Sequence, residues 1–366
     1  MSSTGAQSLS ARLQQRVFAA IQASGGWLPF DRFMALALYE PGLGYYSRGS
    51  RQFGAMPSSG SDFVTAPELS PLFGQTLARQ VAQALDAAGA DEVFEFGAGS
   101  GALAAQLLAA LGPRVQRYAI VDLSGALREK QALTLAPWAE KVQWLDTWPD
   151  TMRGVVVGNE VLDAMPVQLL HWDGGAWFER AVARVDQALQ WADRITALQP
   201  PWAGPFVPGT VTEIHPQAEA FIRSLADRLQ HGAAFFIDYG FPEAEYYHPQ
   251  RTGGTLMCHR AHLADSNPLA DVGEKDITAH VNFSGVALAA QDAGLDVLGY
   301  TSQARFLINC GLPELMQAAD VRTQVAAQML VAEHEMGELF KVIALTRNLP
   351  GFSPLGFAAG DRSHRL

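Results

Sequence analysis

Apolar positions along the chain fall into two regimes. Before about residue 90 they recur at helical spacing, and Leu9, Leu13, Val17 and Ile21 stand four apart, which predicts one buried helix face. The helical text is broken by an aromatic and Gly/Pro-rich stretch over residues 39–71, too long for an ordinary connector and so expected to be functional. Ser70-Pro71 reads as an N-cap and first helical residue, while Thr65, Pro67 and Ser70 could equally fold over a ligand.

From Asp91 onward, short apolar runs alternate with helices. Strands are predicted over 93–96, 118–122, 142–146, 154–160, 234–238, 295–300 and 339–345, with a helix over 102–111. Near-continuous apolar strands separated by helices predict an α/β fold, a Rossmann-like parallel sheet covered on both faces. Two stretches break the rhythm. Residues 167–193 alternate polar and apolar around Asp173-Gly174-Gly175 and predict a hairpin. Residues 243–282 are polar and carry four histidines, which suits a lid or substrate-side insertion. The expected organisation is an N-terminal helical segment over 1–90, an α/β domain over 91–347 with those two insertions, and a C-terminal tail over 348–366. Residues 1–8 and 350–366 read as loose ends.

Composition narrows the function. Across 366 residues, 48% hydrophobic and 17% charged content describes a globular chain with ample core. A formal net charge of −11 disfavours nucleic acid as a partner and suits a cationic substrate. Only Cys258 and Cys310 occur, which excludes a disulfide scaffold and a Cys-rich zinc site and fits reduced core thiols in a cytoplasmic protein. No apolar run approaches the ~20 residues that span a bilayer. The first 30 residues lack Asp and Glu and carry Arg12 and Arg16, superficially like a transit peptide, but the apolar face predicts a structured helix. His215, His248, His259, His262 and His280 show no metal-ligand spacing, so no metal is expected; His280 is a candidate substrate-side catalytic group.

The richest chemistry lies in Glu95-Phe96-Gly97-Ala98-Gly99-Ser100-Gly101, which leaves a strand and opens a helix. Its glycines permit positive φ and close backbone approach, and they satisfy a relaxed dinucleotide pattern, so alone they do not separate a nicotinamide enzyme from a methyltransferase. Glu95 helps to separate them. A carboxylate just before the turn would repel a pyrophosphate but attract the ammonium of S-adenosyl-L-methionine. Asp122, 21 residues beyond Gly101, suits ribose hydroxyls, and Asp146 suits an adenine amino group. After the fourth strand comes Asn159-Glu160-Val161-Leu162-Asp163-Ala164-Met165-Pro166, where Glu160 and Asp163 would share a face of a helical turn and could clamp a guanidinium. Asp163 as a helix cap is the simpler alternative.

Read together, these motifs resemble the MidA family. The likeness runs through Phe33-Met34, Ala37-Leu38-Tyr39, Gly44-Tyr45-Tyr46, Asp62-Phe63-Val64-Thr65-Ala66-Pro67-Glu68, the 95–101 and 158–166 segments, Asp238-Tyr239-Gly240, His248-Pro249 and 271–283. It spans about residues 9–345, and departs from the family between Ser47 and Asp62. The family's mitochondrial members are complex I assembly factors that methylate arginine. The resemblance implies a class I methyltransferase fold, S-adenosyl-L-methionine as cofactor, and dimethylation of an arginine on a protein partner, such as a respiratory complex I-type subunit. The family's glycine motif falls on Gly97, Gly99 and Gly101, and its asparagine-glutamate pair on Asn159 and Glu160. The expected cofactor set is Thr65, Pro67, Glu95, Gly97, Ala98, Gly99, Asp122, Leu123, Ser124, Leu145, Asp146, Asn159 and Glu160; the expected catalytic set is Glu160, Asp163 and His280. A small-molecule methyltransferase, a non-catalytic cofactor-binding assembly factor and a nicotinamide oxidoreductase stand as alternatives.

Overall fold

The strands expected from the apolar runs all form, and they share one sheet. The computed structural model describes residues 8–48, 65–122, 125–260 and 263–366. Its main sheet comprises β1 (Glu92–Phe96), β2 (Arg117–Val121), β3 (Val142–Leu145), β4 (Met152–Asn159), β5 (Leu229–Phe241), β6 (Asp296–Ser302) and β7 (Phe340–Arg347). Their order is β3-β2-β1-β4-β5-β7-β6, and the short strand Val281–Asn282 adds to the end of β5. Strands β1 to β5 are parallel. Strand β7 runs antiparallel to both β5 and β6, which corrects the expectation of a wholly parallel sheet. An apolar run reports burial on both faces and carries no sign of direction. Direction follows from the connection: Ser302 at the end of β6 pairs with Lys341 at the start of β7, so the intervening helices return the chain to the end it left.

Helices cover both faces. Pro71–Ala88, Ala102–Leu111 and Val321–Val331 pack one core against the sheet, while Pro216–Arg228 and Phe283–Asp292 pack the other. Ser70 caps the first of these, its Oγ accepting from Leu72 N at 3.3 Å with Pro71 next in line, as the sequence predicts. Where β4 and β5 enter the sheet, Gly154 and Gly232 pair directly at φ 143° and 141°. A Cβ on Gly232 would lie 1.8 Å from the Gly154 carbonyl oxygen, so only glycine lets these strands meet.

A third core stands apart from the main sheet. Helices Leu9–Ala23 and Phe30–Tyr39 bury Leu13, Val17, Ile21, Phe33 and Leu38 against Leu169, Val182, Cys258 and Ile277. Leu9, expected on the buried face, is 41% exposed because it begins the helix. The segment expected over 1–90 is thus divided: its first two helices serve this third core, and Pro71–Ala88 serves the main sheet. The 167–193 insertion forms Gln168–Trp172, Trp177–Val185 and Ala188–Ile195 of a five-stranded antiparallel sheet. The Asp173 carboxylate fixes its turn by accepting from Gly175 N and Ala176 N at 2.8 Å each. The 243–282 insertion carries a small sheet of Met257–Arg260, Leu263–Asp265 and Asp276–Thr278.

Residues 350–366 differ from the loose end expected. Phe357 packs on Phe306 with ring centroids 5.5 Å apart, Asp361 Oδ1 accepts from Tyr300 N at 2.9 Å, and Arg362 N donates to Tyr300 O at 2.6 Å. Such anchoring uses single side chains and so leaves no periodic trace. Among the described residues no helix is long and apolar enough to cross a membrane.

Candidate functional site

The order of the strands turns back between β1 and β4, and in an open α/β sheet ligands lie beyond the carboxyl ends at such a reversal. A cavity of about 830 Å³ opens there. Its floor is the 95–101 loop, the ends of β2 and β4, and the turn that follows β4.

At one end, Gly97, Gly99 and Gly101 all adopt left-handed backbone, with φ of 67°, 53° and 83°, and Gly101 starts the helix Ala102–Leu111. A Cβ on Gly97 would press on Val161 Cγ2 at 3.0 Å. Ser100 Oγ donates to the Glu68 carboxylate, tying the loop to the short helix Ala66–Leu69. Glu95, 2% exposed, accepts from Tyr118 Oη at 2.6 Å. Burial, with a smaller push from Asp122, raises its carboxyl to about 7 against the hydrogen bond from Tyr118. A buried acid facing a cavity in this state is suited to a cationic ligand. Asp122 is held by Gln131, whose Nε2 donates to Asp122 Oδ2 at 2.9 Å and to Gly99 O at 3.1 Å, while its Oε1 accepts from Trp144 Nε1 at 2.9 Å. Phe96, Trp148 and Phe221 form an aromatic cluster on the same side, with centroids 4.5 to 5.2 Å apart.

The other end is acidic and aromatic. Glu160 follows β4 at φ 55°, a conformation rare for a non-glycine residue. Its Oε1 accepts from Asn159 Nδ2 at 2.9 Å, and its own N–H donates to Ile237 O at 2.9 Å. Burial first and the neighbouring Asp163 second push its carboxyl up to about 8. Asp163 accepts a short bond from Tyr239 Oη, and burial raises it to about 6. Its second oxygen, Oδ1, is buried with no hydrogen-bond partner among the described residues, as is Asn159 Oδ1. The turn is pinned from below by Asp238, whose Oδ2 accepts from the N–H groups of Val161, Leu162 and Asp163 at 3.1, 2.9 and 3.3 Å. This pinned turn replaces the helical turn expected at 160–163. The two acids reach the cavity by strained backbone and an anchored loop, not by helical spacing, and Asp163 caps no helix.

Aromatic rings wall this end. Tyr39 and Tyr46 stack at 5.6 Å and 19°; Tyr39 Oη donates to Ala164 O at 2.8 Å and Tyr46 Oη to Asp276 Oδ2 at 2.8 Å. His280 stacks on Phe241 at 5.2 Å and 5°, with Tyr239 edge-on at 5.1 Å. Burial first, then the positive charge of Arg251, lowers its imidazole to about 4, so it faces the cavity uncharged at neutral pH.

The cavity gathers most of the residues expected from the sequence: Thr65, Pro67, Glu95, Gly97, Ala98, Gly99, Asp122, Asp146, Asn159, Glu160, Asp163 and His280 all line it. Leu145 does not. It is half-buried and packs against the apolar core that contains Phe96. Leu123 and Ser124 lie outside the described residues. Asp146 lines the rim, 84% exposed, and pairs with Arg128 at 2.6 Å. Sequence reasoning missed Tyr118, Gln131, Tyr239 and Asp276. Only the last two lay in motifs already noted, Asp238-Tyr239-Gly240 and the 276–282 segment, and neither motif named a role for them.

A family profile described as "Putative S-adenosyl-L-methionine-dependent methyltransferase" matches residues 76–301. The crystal structure of a Burkholderia thailandensis superfamily member bound to S-adenosyl-homocysteine is similar at 51% identity and a TM-score of 0.94, covering 98% of this chain and 97% of that one. Among curated proteins, the mitochondrial protein arginine methyltransferase NDUFAF7 of Mus musculus is 28% identical, over 88% of this chain and 81% of its own length. That of Danio rerio is 25% identical, over 94% of this chain and 89% of its own length.

Proposed function

The chain belongs to this S-adenosyl-L-methionine-dependent methyltransferase family, and from that membership we propose that its methyl acceptor is the guanidinium of an arginine on a protein. One observation carries the reading: two acids, half-buried Glu160 and buried Asp163, enter the same cavity as the cofactor loop, from the end of the neighbouring strand. The relatives named protein arginine methyltransferases support it, at 25% and 28% identity.

The residues fit the cofactor. Buried Glu95 suits an ammonium, the left-handed glycines let backbone approach a ligand, and the Gln131-held Asp122 presents a carboxylate at a strand end where a ribose is commonly bound. When bound, S-adenosyl-L-methionine supplies an electrophilic methyl group. The chain supplies alignment, exclusion of water and proton management. Arginine is always protonated in water, and the acceptor nitrogen must give up one proton for each methyl it gains. We assign to Glu160, which lines the cavity, the orienting of the guanidinium and the uptake of that proton. On its own it holds a proton up to about pH 8. A guanidinium beside it favours the carboxylate, so substrate binding itself arms the base. Asp163 shares the cation, and the neutral His280 and the tyrosines close the site without adding positive charge. The acceptor protein, as the family resemblance implies, includes respiratory complex I-type subunits, and two successive transfers to one side chain give dimethylation.

Labelled cofactor added to a cell lysate, resolved by size and analysed for methylated amino acids, tests this reading. Label in dimethylarginine of a protein band is the expected result. Label confined to small molecules, or to lysine, refutes it.

A further inference from the structure

Accepting the arginine reading, we propose that Asp276, carried on the small three-stranded sheet, is a third carboxylate that meets the guanidinium from the insertion side and makes the site selective for arginine over lysine. Asp276 is 3% exposed and lines the cavity that also holds Glu160 and Asp163. It reaches that cavity from another element: it opens the strand Asp276–Thr278 and pairs with His259 of Met257–Arg260. Tyr46 Oη fixes its Oδ2 at 2.8 Å, and the same Tyr46 ring stacks on Tyr39, so the carboxylate and a flat aromatic wall are set as one unit.

A second observation points to a ligand here. Asp163 lines the cavity at 4% exposure, and its buried Oδ1 has no hydrogen-bond partner among the described residues. Such an oxygen is costly to bury unless a donor arrives with the substrate. The electrostatic field links the groups: both Asp163 and Asp276 raise the affinity of Glu160 for its proton. A guanidinium spreads five N–H donors around a plane, more than one carboxylate accepts, and its faces suit aromatic rings. Acids delivered from two elements, with stacked tyrosines beside them, match that shape. A lysine ammonium is compact and has no plane to bridge.

The test uses the full chain loaded with S-adenosyl-homocysteine, with Ac-Gly-Arg-Gly-NH2 and its lysine counterpart as probes for calorimetry and for transfer assays with labelled cofactor. Asp276→Asn is expected to weaken binding of the arginine peptide and raise its KM by about tenfold or more. Its kcat should fall less than its KM rises, and S-adenosyl-homocysteine affinity should stay within about twofold of the parent. Asp276→Glu should restore part of the peptide affinity, and the arginine-to-lysine preference should shrink in Asp276→Asn. If Asp276→Asn binds the peptide like the parent, or loses the peptide and S-adenosyl-homocysteine together, the assignment to the acceptor fails while the arginine reading stands. A parent protein that neither binds nor methylates the arginine peptide overturns both.

Discussion

The two ends of the cavity are built in opposite ways. The cofactor end is local: the hydrogen bonds that shape it join Asp122 to Gln131, Glu95 to Tyr118, and Glu68 to Ser100, separated by 9, 23 and 32 residues. The acceptor end is long-range: Asp163 meets Tyr239 across 76 residues, Tyr39 meets Ala164 across 125, and Tyr46 meets Asp276 across 230. One end is formed as soon as a few consecutive strands and helices assemble. The other exists only when the N-terminal helices, the insertion sheet and the main sheet have docked. A change in the third core should therefore reach the acceptor before it reaches the cofactor.

The sharpest way to break this division is Glu160→Gln. Methyl transfer should fall by roughly 10²- to 10⁴-fold, the range for a lost general base, while S-adenosyl-homocysteine affinity by calorimetry changes far less. Equal losses in both would move Glu160 to the cofactor end.

Stability against pH comes next in size. Glu95 titrates from its ordinary 4.5 up to about 7 in the folded chain, and Glu160 up to about 8. The unfolded chain therefore gives up these protons first as pH rises, so the ligand-free protein is most stable below about 4.5 as far as these groups go, and loses that stability between about 4.5 and 8. The loss for Glu95 alone is on the order of a few kcal/mol at 1.4 per pH unit. Thermal melts from pH 5 to 8 should show it, and Glu95→Gln should flatten the slope. A slope unchanged in that variant would count against burial of the Glu95 carboxyl as its source.

Gln131→Ala follows. It strips partners from Asp122, Gly99 O and the Trp144 N–H together, at a cost of about 1–3 kcal/mol. Denaturant melts should register that loss, and S-adenosyl-homocysteine binding should weaken with KM for the acceptor unchanged.

The smallest effect belongs to Tyr239→Phe. The ring still packs on His280 and Phe340, at 5.1 and 5.3 Å. Only the donor to Asp163 is lost, but that leaves a buried carboxylate oxygen without it, at a cost of about 1–3 kcal/mol. Acceptor kinetics should shift a few-fold and cofactor affinity not at all; a matching shift in cofactor affinity would blur the two ends.

The same division explains what was legible beforehand. A strand, a glycine turn and a helix follow one another in the text, so the 95–101 loop and its strands could be read directly, as could the helix Ala102–Leu111 and the cap at Ser70. Gln131 could not, since one amide in a polar helix has no local signature until Asp122 folds against it. Strand β7 read as a strand, but its direction depends on the helices before it. Asp276 sits in a motif noted for His280, yet its role depends on Tyr46, 230 residues away. Glu160 and Asp163 were found by position after a strand, with the wrong backbone between them: spacing suggested a helical turn, and Asp238 enforces a different one.

That turn has a consequence for how the protein can change. Glu160 keeps a backbone conformation at φ 55° that glycine would adopt freely, a penalty on the order of 1–3 kcal/mol. The replacement that would relieve it removes the carboxylate. Selection for sturdiness and selection for turnover therefore pull this one position apart, and a search for more heat-resistant variants that ignored activity would be drawn to it. The chain retains its acid by accepting a weaker fold.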